Sequence, residues 1–106
     1  MTLPANIRTL TKTVAVPATP EVIAAAPTRF SDIKLIGQKG FETANAGDVF
    51  LQVRDATGAF VDLRRIAPND EVNVVAPHGT FYLASEFQIR VLNAGDGVRC
   101  EYTDIP

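Results

Sequence analysis

The sequence has little of the chemistry that enzymes and metal sites need. Its 106 residues include one cysteine (Cys100), one histidine (His78), two serines and no tryptophan. A single cysteine excludes an intrachain disulfide and a cysteine-based zinc site. Neither Ser31 nor Ser85 lies in a Gly-x-Ser-x-Gly frame, so a serine hydrolase is not predicted. We therefore expect a protein that is not an enzyme and that uses no cofactor and no metal ion.

Long apolar runs and strong positive charge are also missing. No run approaches the ~18 apolar residues of a membrane span, and the first residues lack the basic and apolar segments of a secretory signal. A pI near 5.2 and a single adjacent basic pair, Arg64-Arg65, disfavour nucleic-acid binding. We therefore expect neither a membrane nor a nucleic acid as partner.

Charge is distributed unevenly along the chain. Residues 1–41 carry five basic and two acidic side chains, a net charge of +3, and they include all three lysines. Residues 42–106 carry five arginines and ten acids, a net charge of −5. This asymmetry permits head-to-tail association of copies, or docking of the N-terminal part on an acidic partner. An ordinary mixed surface is the alternative interpretation.

Most of the chain alternates between apolar and polar residues, which is the pattern of half-buried strands. Turn residues separate these stretches, and Asn93–Gly97, with one Asn and two Gly, is the clearest turn. Short strands between turns at intervals of 8–12 residues are typical of an antiparallel sandwich or barrel. We expect an all-β fold, an antiparallel β-sandwich or jelly-roll-like domain of about eight short strands. The predicted strands are Thr11–Val16, Asp32–Leu35, Val49–Arg54, Phe60–Ile66, Glu71–Ala76, Thr80–Leu83, Phe87–Leu92 and Val98–Thr103.

Two segments fall outside this alternation. Residues 17–29 contain three prolines in an alanine-rich stretch, which allows either a short helix starting at Thr19-Pro20-Glu21 or an extended segment at a sheet edge. Residues 1–10 have no evident partner, so we expect an N-terminal arm at 1–10 and a single β-sandwich domain at 11–106.

Several residues suggest chemistry that a simpler explanation also covers. Cys100 and His78 are the only candidates for a nucleophile–base pair, but Cys100 has the phase of a buried strand residue. Asn93, Asp96 and Glu101 suggest calcium, but their spacing does not match the calcium-binding loop motif. We favour a buried thiol and a hairpin turn for these residues.

The tetrapeptide Asn-Ala-Gly-Asp occurs at 45–48 and again at 93–96, each time before a strand. Two related halves would explain it. Turn chemistry that arose twice by chance explains it as well, and we favour that interpretation because no longer self-similarity follows.

The order of these segments resembles the small β-sandwich virion proteins of tailed bacteriophages, of the capsid decoration and head-associated type. The resemblance is carried by Thr-Val-Ala-Val, Phe-Ser-Asp-Ile-Lys-Leu, Asn-Ala-Gly-Asp-Val-Phe-Leu, Ile-Ala-Pro-Asn-Asp-Glu-Val-Asn-Val and Asn-Ala-Gly-Asp-Gly-Val-Arg-Cys-Glu-Tyr. It covers nearly the whole chain, although Asn69-Asp70 stands where that group has Gly after the proline. The resemblance implies a non-enzymatic protein of the virion that stabilises the shell by contacts with the major capsid protein or other virion proteins.

The residues themselves are compatible with that role and with self-association. We expect the arm to mediate it by adding backbone hydrogen bonds and burying apolar side chains, with Leu3, Ile7, Arg8 and Lys12 as candidate partner-binding residues. The alternative is a small carbohydrate-binding module. That function needs an exposed aromatic platform, for which Phe50, Tyr82 and Tyr102 are the candidates.

Overall fold

The computed structural model describes residues 7–24 and 29–104. In this part of the chain the backbone forms strands joined by turns, with one short 3-10 turn at Ala84–Glu86. The strands are β1 (Ile7–Thr13), β2 (Glu21–Val22), β3 (Arg29–Ile36), β4 (Gln38–Gly40), β5 (Thr43–Ala44), β6 (Val49–Arg54), β7 (Phe60–Ile66), β8 (Glu71–Val75), β9 (Tyr82–Leu83), β10 (Phe87–Val91) and β11 (Gly97–Asp104).

Two antiparallel sheets pack against each other. The five-stranded sheet has the order β1-β11-β3-β8, and β9 pairs with the beginning of β3. The four-stranded sheet has the order β2-β10-β6-β7. A small hairpin, β4-β5, joins the first sheet to the second along the chain. The expectation of an all-β, sandwich-like domain is confirmed.

The core lies between the two sheets and is built from alternate strand residues. Leu51 of β6 and Ile89 of β10 are cross-strand partners with no exposed surface, and Cys100 of β11 lies beside Leu35 of β3 in the other sheet. Each such large apolar side chain stabilises the fold by roughly 1.5–3 kcal/mol through burial. The period-two alternation therefore identifies the inward face of these strands correctly.

Each of the eight predicted strands has a counterpart in the structure. The short strands β2, β4 and β5 were not predicted, because two or three residues cannot show an alternation. Residues 17–24 contain no helix: the chain turns at residues 17–19, and Glu21 and Val22 then pair with β10 as a short extended strand. Three prolines and a partner strand favour this over an isolated helical turn.

The expected boundary of the arm needs correction. Residues 7–10 belong to β1, and residues 8–10 are paired in register with residues 100–102 of β11. The alternation of apolar and polar residues is hard to recognise there, because the same side of this edge strand carries Arg8, Leu10 and Lys12. The rest of the expected arm, including Leu3, lies outside the described residues.

Candidate interaction surface

The outer face of the four-stranded sheet carries a row of one aromatic ring between two arginines. Phe50 on β6 has Arg90 of β10 as its cross-strand partner on one side and Arg65 of β7 on the other. The guanidinium carbon of Arg90 lies 4.2 Å from the centroid of the Phe50 ring, and that of Arg65 lies 5.8 Å from it. Arg65 is also fixed from the side, because its Nε donates a hydrogen bond to Asp48 Oδ2 at 2.6 Å.

A second row of planar polar groups lies next to the first. Gln88 Nε2 donates to Gln52 Oε1 at 2.6 Å, and Gln52 Nε2 donates to Asp62 Oδ1 at 2.9 Å. The other carboxylate oxygen of Asp62 lies 3.4 Å from Arg90 Nη2. This ion pair connects the two rows into one network of side-chain contacts.

A third row completes this face. Arg54 and Phe60 are cross-strand partners at the β6–β7 hairpin, and the guanidinium carbon of Arg54 lies 4.6 Å from the ring centroid of Phe60. Arg54 Nη1 also donates to the carbonyl of Gly58 at 3.1 Å. We call this surface the arginine–phenylalanine face. It consists of Phe50, Gln52, Arg54, Phe60, Asp62, Arg65, Gln88 and Arg90.

Pairs of arginine and phenylalanine recur elsewhere on the surface. Arg29 lies over Phe81, with 4.9 Å between guanidinium carbon and ring centroid, and Arg99 lies over Phe41 at 5.2 Å. The six phenylalanines thus divide into two buried ones and four near the surface that each have an arginine over the ring. Cation–π pairs occur about once per 70–80 residues in proteins, so this density is a distinctive property of the chain.

These contacts orient side chains more than they stabilise the fold. The Arg65 side chain is 70% exposed and that of Asp62 is 52% exposed. Exposed ion pairs contribute about 0–1 kcal/mol each because water and salt screen them. The main consequence is a surface on which arginines and rings already contact one another, which lowers the side-chain entropy they lose when a partner binds.

The two Asn-Ala-Gly-Asp tetrapeptides contact each other at one end of the sandwich. Asp96, which has no exposed surface, accepts hydrogen bonds from the N–H groups of Ala46 and Gly47 at 2.9 and 3.0 Å. Asn45, also buried, binds the backbone of Gly97. The repeat therefore forms a buried connection between the start of β6 and the start of β11. The interpretation as two unrelated turns misses this contact, because the sequence does not show that the segments are adjacent.

The candidate partner-binding residues that the structure describes lie in a strand of the domain. Ile7, Arg8 and Lys12 lie on β1, paired in register with β11. Lys12 Nζ lies 3.0 Å from Glu21 Oε1 on β2 and so connects the edges of the two sheets. Leu3 lies outside the described residues. The basic side chains of this segment therefore belong to a sheet edge.

The residues considered for catalysis or calcium binding are buried, exposed in a turn, or engaged in contacts within the fold. Cys100 has no exposed surface, and burial raises the pKa of its thiol to about 12, whereas His78 lies in an exposed turn. Asp96 uses its carboxylate on backbone N–H groups, and Glu101 lies 3.6 Å from Lys34 Nζ. Within residues 7–24 and 29–104, no group of three His, Cys, Asp or Glu side chains is arranged to hold a metal ion.

The three rings suggested for a carbohydrate platform do not share one face. Tyr82 and Tyr102 pack against the core, with ring centroids 6.1 and 6.3 Å from that of Phe30. Phe50 lies on the outer face of the other sheet, beneath Arg90. Its ring is thus not open for stacking on a sugar.

Comparison with known proteins does not add an identity. No family model, curated protein or solved structure matches the chain significantly. In the described part of the chain, no helix is long and apolar enough to cross a bilayer.

The arginine–phenylalanine face is the candidate site. The alternation in β6 and β10 assigns Phe50 and Arg90 to the outward side of their strands, but only the strand pairing shows that they are neighbours.

Proposed function

We propose that this protein is a non-enzymatic structural protein that acts through protein–protein contacts made by the arginine–phenylalanine face. The observation that carries the proposal is the pre-ordered row Arg90–Phe50–Arg65. Arginine and aromatic residues, including phenylalanine, are enriched in protein interfaces, and side chains that are ordered before binding lose less entropy on association. The network from Gln88 through Gln52 to Asp62 supplies that order.

The proposed setting is the virion of a tailed bacteriophage, with the major capsid protein or another virion protein as partner. The support for this setting is the sequence resemblance to capsid decoration and head-associated proteins. The antiparallel all-β fold is the one that the resemblance implies. In this role the sandwich is a support that presents the arginine–phenylalanine face to the shell.

A carbohydrate-binding function is less well supported. Tyr82 and Tyr102 contribute their rings to the core, and Arg90 covers Phe50. A sugar ring would have to displace the guanidinium group before it could stack.

The proposed function can be tested by co-sedimentation with assembled shells. The shells are made from the major capsid protein encoded in the same genome, and the purified chain is added at increasing concentration. We expect saturable binding by the unchanged chain. The double variant Phe50→Ala, Arg90→Ala should bind at least about tenfold more weakly, because it removes the centre of the interface.

A matched control is available away from this surface, where Arg99 of β11 lies over Phe41 of the β4–β5 hairpin. The double variant Phe41→Ala, Arg99→Ala also deletes one arginine–phenylalanine pair, but outside the proposed surface, and it should bind as the unchanged chain does. Lack of saturable binding by the unchanged chain overturns the virion role. Equal loss of binding in both double variants overturns the assignment of the surface.

A further inference from the structure

In the part of the chain that the structure describes, the five-stranded sheet ends on both sides in a strand that has a partner strand on one side only. Among the described residues, β1 pairs only with β11 and β8 pairs only with β3. Both strands keep a regular register over their whole paired length. The edges of the other sheet differ, because β2 has only two residues and β7 has a bulge at Leu63. A bulge and a very short strand both hinder pairing with another chain.

The backbone pattern shows which groups face outward at these two edges. Ala76 N–H donates to Ser31 and Val14 N–H donates to Asp96, so even-numbered residues of β8 and β1 face their partner strands. Because backbone groups alternate in direction along a strand, the odd-numbered residues direct N–H and C=O groups outward. These residues are Thr9, Thr11 and Thr13 of β1, and Glu71, Asn73 and Val75 of β8.

Strand direction makes the two edges compatible with each other. The order β1-β11-β3-β8 is antiparallel at every step, so β8 runs opposite to β1. A second copy placed beside the first in the same orientation would therefore bring its β1 antiparallel to β8. The joined sheet would continue the alternation of strand directions without interruption.

Charge distinguishes this pairing from pairing of like edges. β1 carries Arg8 and Lys12 and no acid, whereas β8 carries Glu71, follows Asp70 and has no base. Two β1 strands paired about Leu10 would set Arg8 of each copy opposite Lys12 of the other. Like charges directly opposite each other destabilise a strand pair, and opposite charges stabilise it.

We propose that copies of this chain associate head to tail by pairing β8 of one copy with β1 of the next. The register that matches charge and hydrophobicity sets Asp70 opposite Lys12 and Val72 opposite Leu10. Lys12 already contacts Glu21 within its own chain, and Asp70 adds a carboxylate from the neighbour. This inference deepens the proposed structural role and rests on it for its biological setting, but it is measured on the chain alone.

Head-to-tail association uses two different surfaces of each copy. Such an interface closes into a ring when the rotation between copies permits it, and otherwise extends into a filament. Either product leaves the outer face of the four-stranded sheet available, because the joining edges belong to the other sheet.

The test blocks each edge separately and then mixes the two variants. Thr11→Pro and Asn73→Pro each remove one outward N–H without removing a bond inside the sheet, which is where edge strands tolerate proline. In sedimentation velocity experiments, we expect each proline variant to be monomeric where the unchanged chain associates. An equimolar mixture should form dimers of one copy of each variant, because each retains the edge that the other lacks.

Three further variants keep the test decisive if proline disturbs folding. Thr11→Val and Asn73→Thr retain the N–H groups and should associate like the unchanged chain. Asp70→Lys changes only an exposed turn residue and should weaken association about tenfold. The difference from the unchanged chain should be smaller at high salt, because salt screens the charges. A monomeric unchanged chain, a mixture that stays monomeric, or association that resists the Thr11 block overturns the proposal. The last result would instead indicate pairing of two β8 strands, and none of these results depends on shell binding.

Discussion

The side chain of Asn45 forms two hydrogen bonds with the backbone of Gly97. Its Nδ2 donates to the Gly97 carbonyl oxygen at 2.6 Å, and its Oδ1 accepts from the Gly97 N–H at 3.0 Å. A buried amide thus replaces the strand partner that Gly97 would otherwise need there. An unsatisfied buried backbone group destabilises a fold. Asn45 should therefore contribute more to the stability of the protein than a loop residue usually does.

Replacement of Asn45 by alanine should lower the free energy of unfolding by about 2–6 kcal/mol. The variant leaves two buried backbone groups of Gly97 without partners, at about 1–3 kcal/mol each. Urea unfolding followed by circular dichroism gives the difference. The matched control is Asn93→Ala, since Asn93 occupies the same position in the second tetrapeptide but is exposed. A similar loss in both variants would contradict the role given to Asn45.

Gly97 and Gly95 should respond differently to alanine. Gly95 has a φ of 86° with open space around it, so alanine there adds only backbone strain of about 1–2 kcal/mol. A Cβ on Gly97 would overlap the carbonyl oxygen of Lys12 and lie 2.7 Å from the Cα of Thr13. Gly97→Ala should therefore displace β1 and destabilise the protein more than Gly95→Ala. Equal melting temperatures for the two variants would show that β1 yields easily.

The clearest features of the fold were predictable because they are local. The alternation Val98, Cys100, Tyr102 identifies the inward face of β11, and the composition of Asn93–Gly97 predicts the turn before it. Contacts between distant segments were not predictable. The hydrogen bonds from Ala46 and Gly47 to Asp96 join residues about fifty positions apart, and a four-residue repeat does not specify such a contact.

The thiol of Cys100 should be unreactive in the native protein. Burial raises its pKa to about 12, so the thiolate is a small fraction near pH 8, and the closed core also excludes the reagent. We expect negligible reaction with a chromogenic disulfide reagent in buffer and one equivalent in denaturant. Rapid stoichiometric labelling without denaturant would contradict the inward placement of Cys100.

The candidate surface shows the same division between local and distant information. Period-two alternation places Phe50, Gln52, Gln88 and Arg90 outward from sequence alone. Arg65 reaches Phe50 through the β6–β7 hairpin, whereas Arg90 reaches it only because β10, which is distant along the chain, pairs with β6. The bulge at Leu63 was also hidden, because it changes the register inside a strand without any Gly or Pro to mark it.

The hairpin between β6 and β7 should lose a stabilising contact in acid. The Thr57 hydroxyl and the N–H groups of Thr57 and Ala59 donate to Asp55, and these hydrogen bonds lower the pKa of Asp55 from its ordinary 3.8. A carboxyl with a lowered pKa in the folded state stabilises the protein above its ordinary pKa. That contribution is lost as the pH falls through the folded-state value.

The variant Asp55→Ala should therefore melt at a lower temperature than the unchanged chain near neutral pH. The difference should shrink as the pH falls well below 3.8, because the protonated Asp55 no longer accepts these bonds as strongly. Thermal melts of both proteins across this range measure the effect. A constant difference down to about pH 2.5 would show that the ionised carboxylate is not the cause.

Two deletions at the N-terminus should distinguish the contribution of β1 to stability from that of the residues before it. Deletion of residues 1–10 removes the pairing of residues 8–10 with residues 100–102 and takes Leu10 from the edge of the core. We expect a lower melting temperature and faster labelling of Cys100, because Leu10 lies opposite it in the register. Deletion of residues 1–6 retains all of β1 and should affect both measurements less. If the two deletions gave equal melting temperatures and equal thiol protection, pairing at residues 7–10 would contribute nothing to stability, and the head-to-tail edge would have to begin at Thr11.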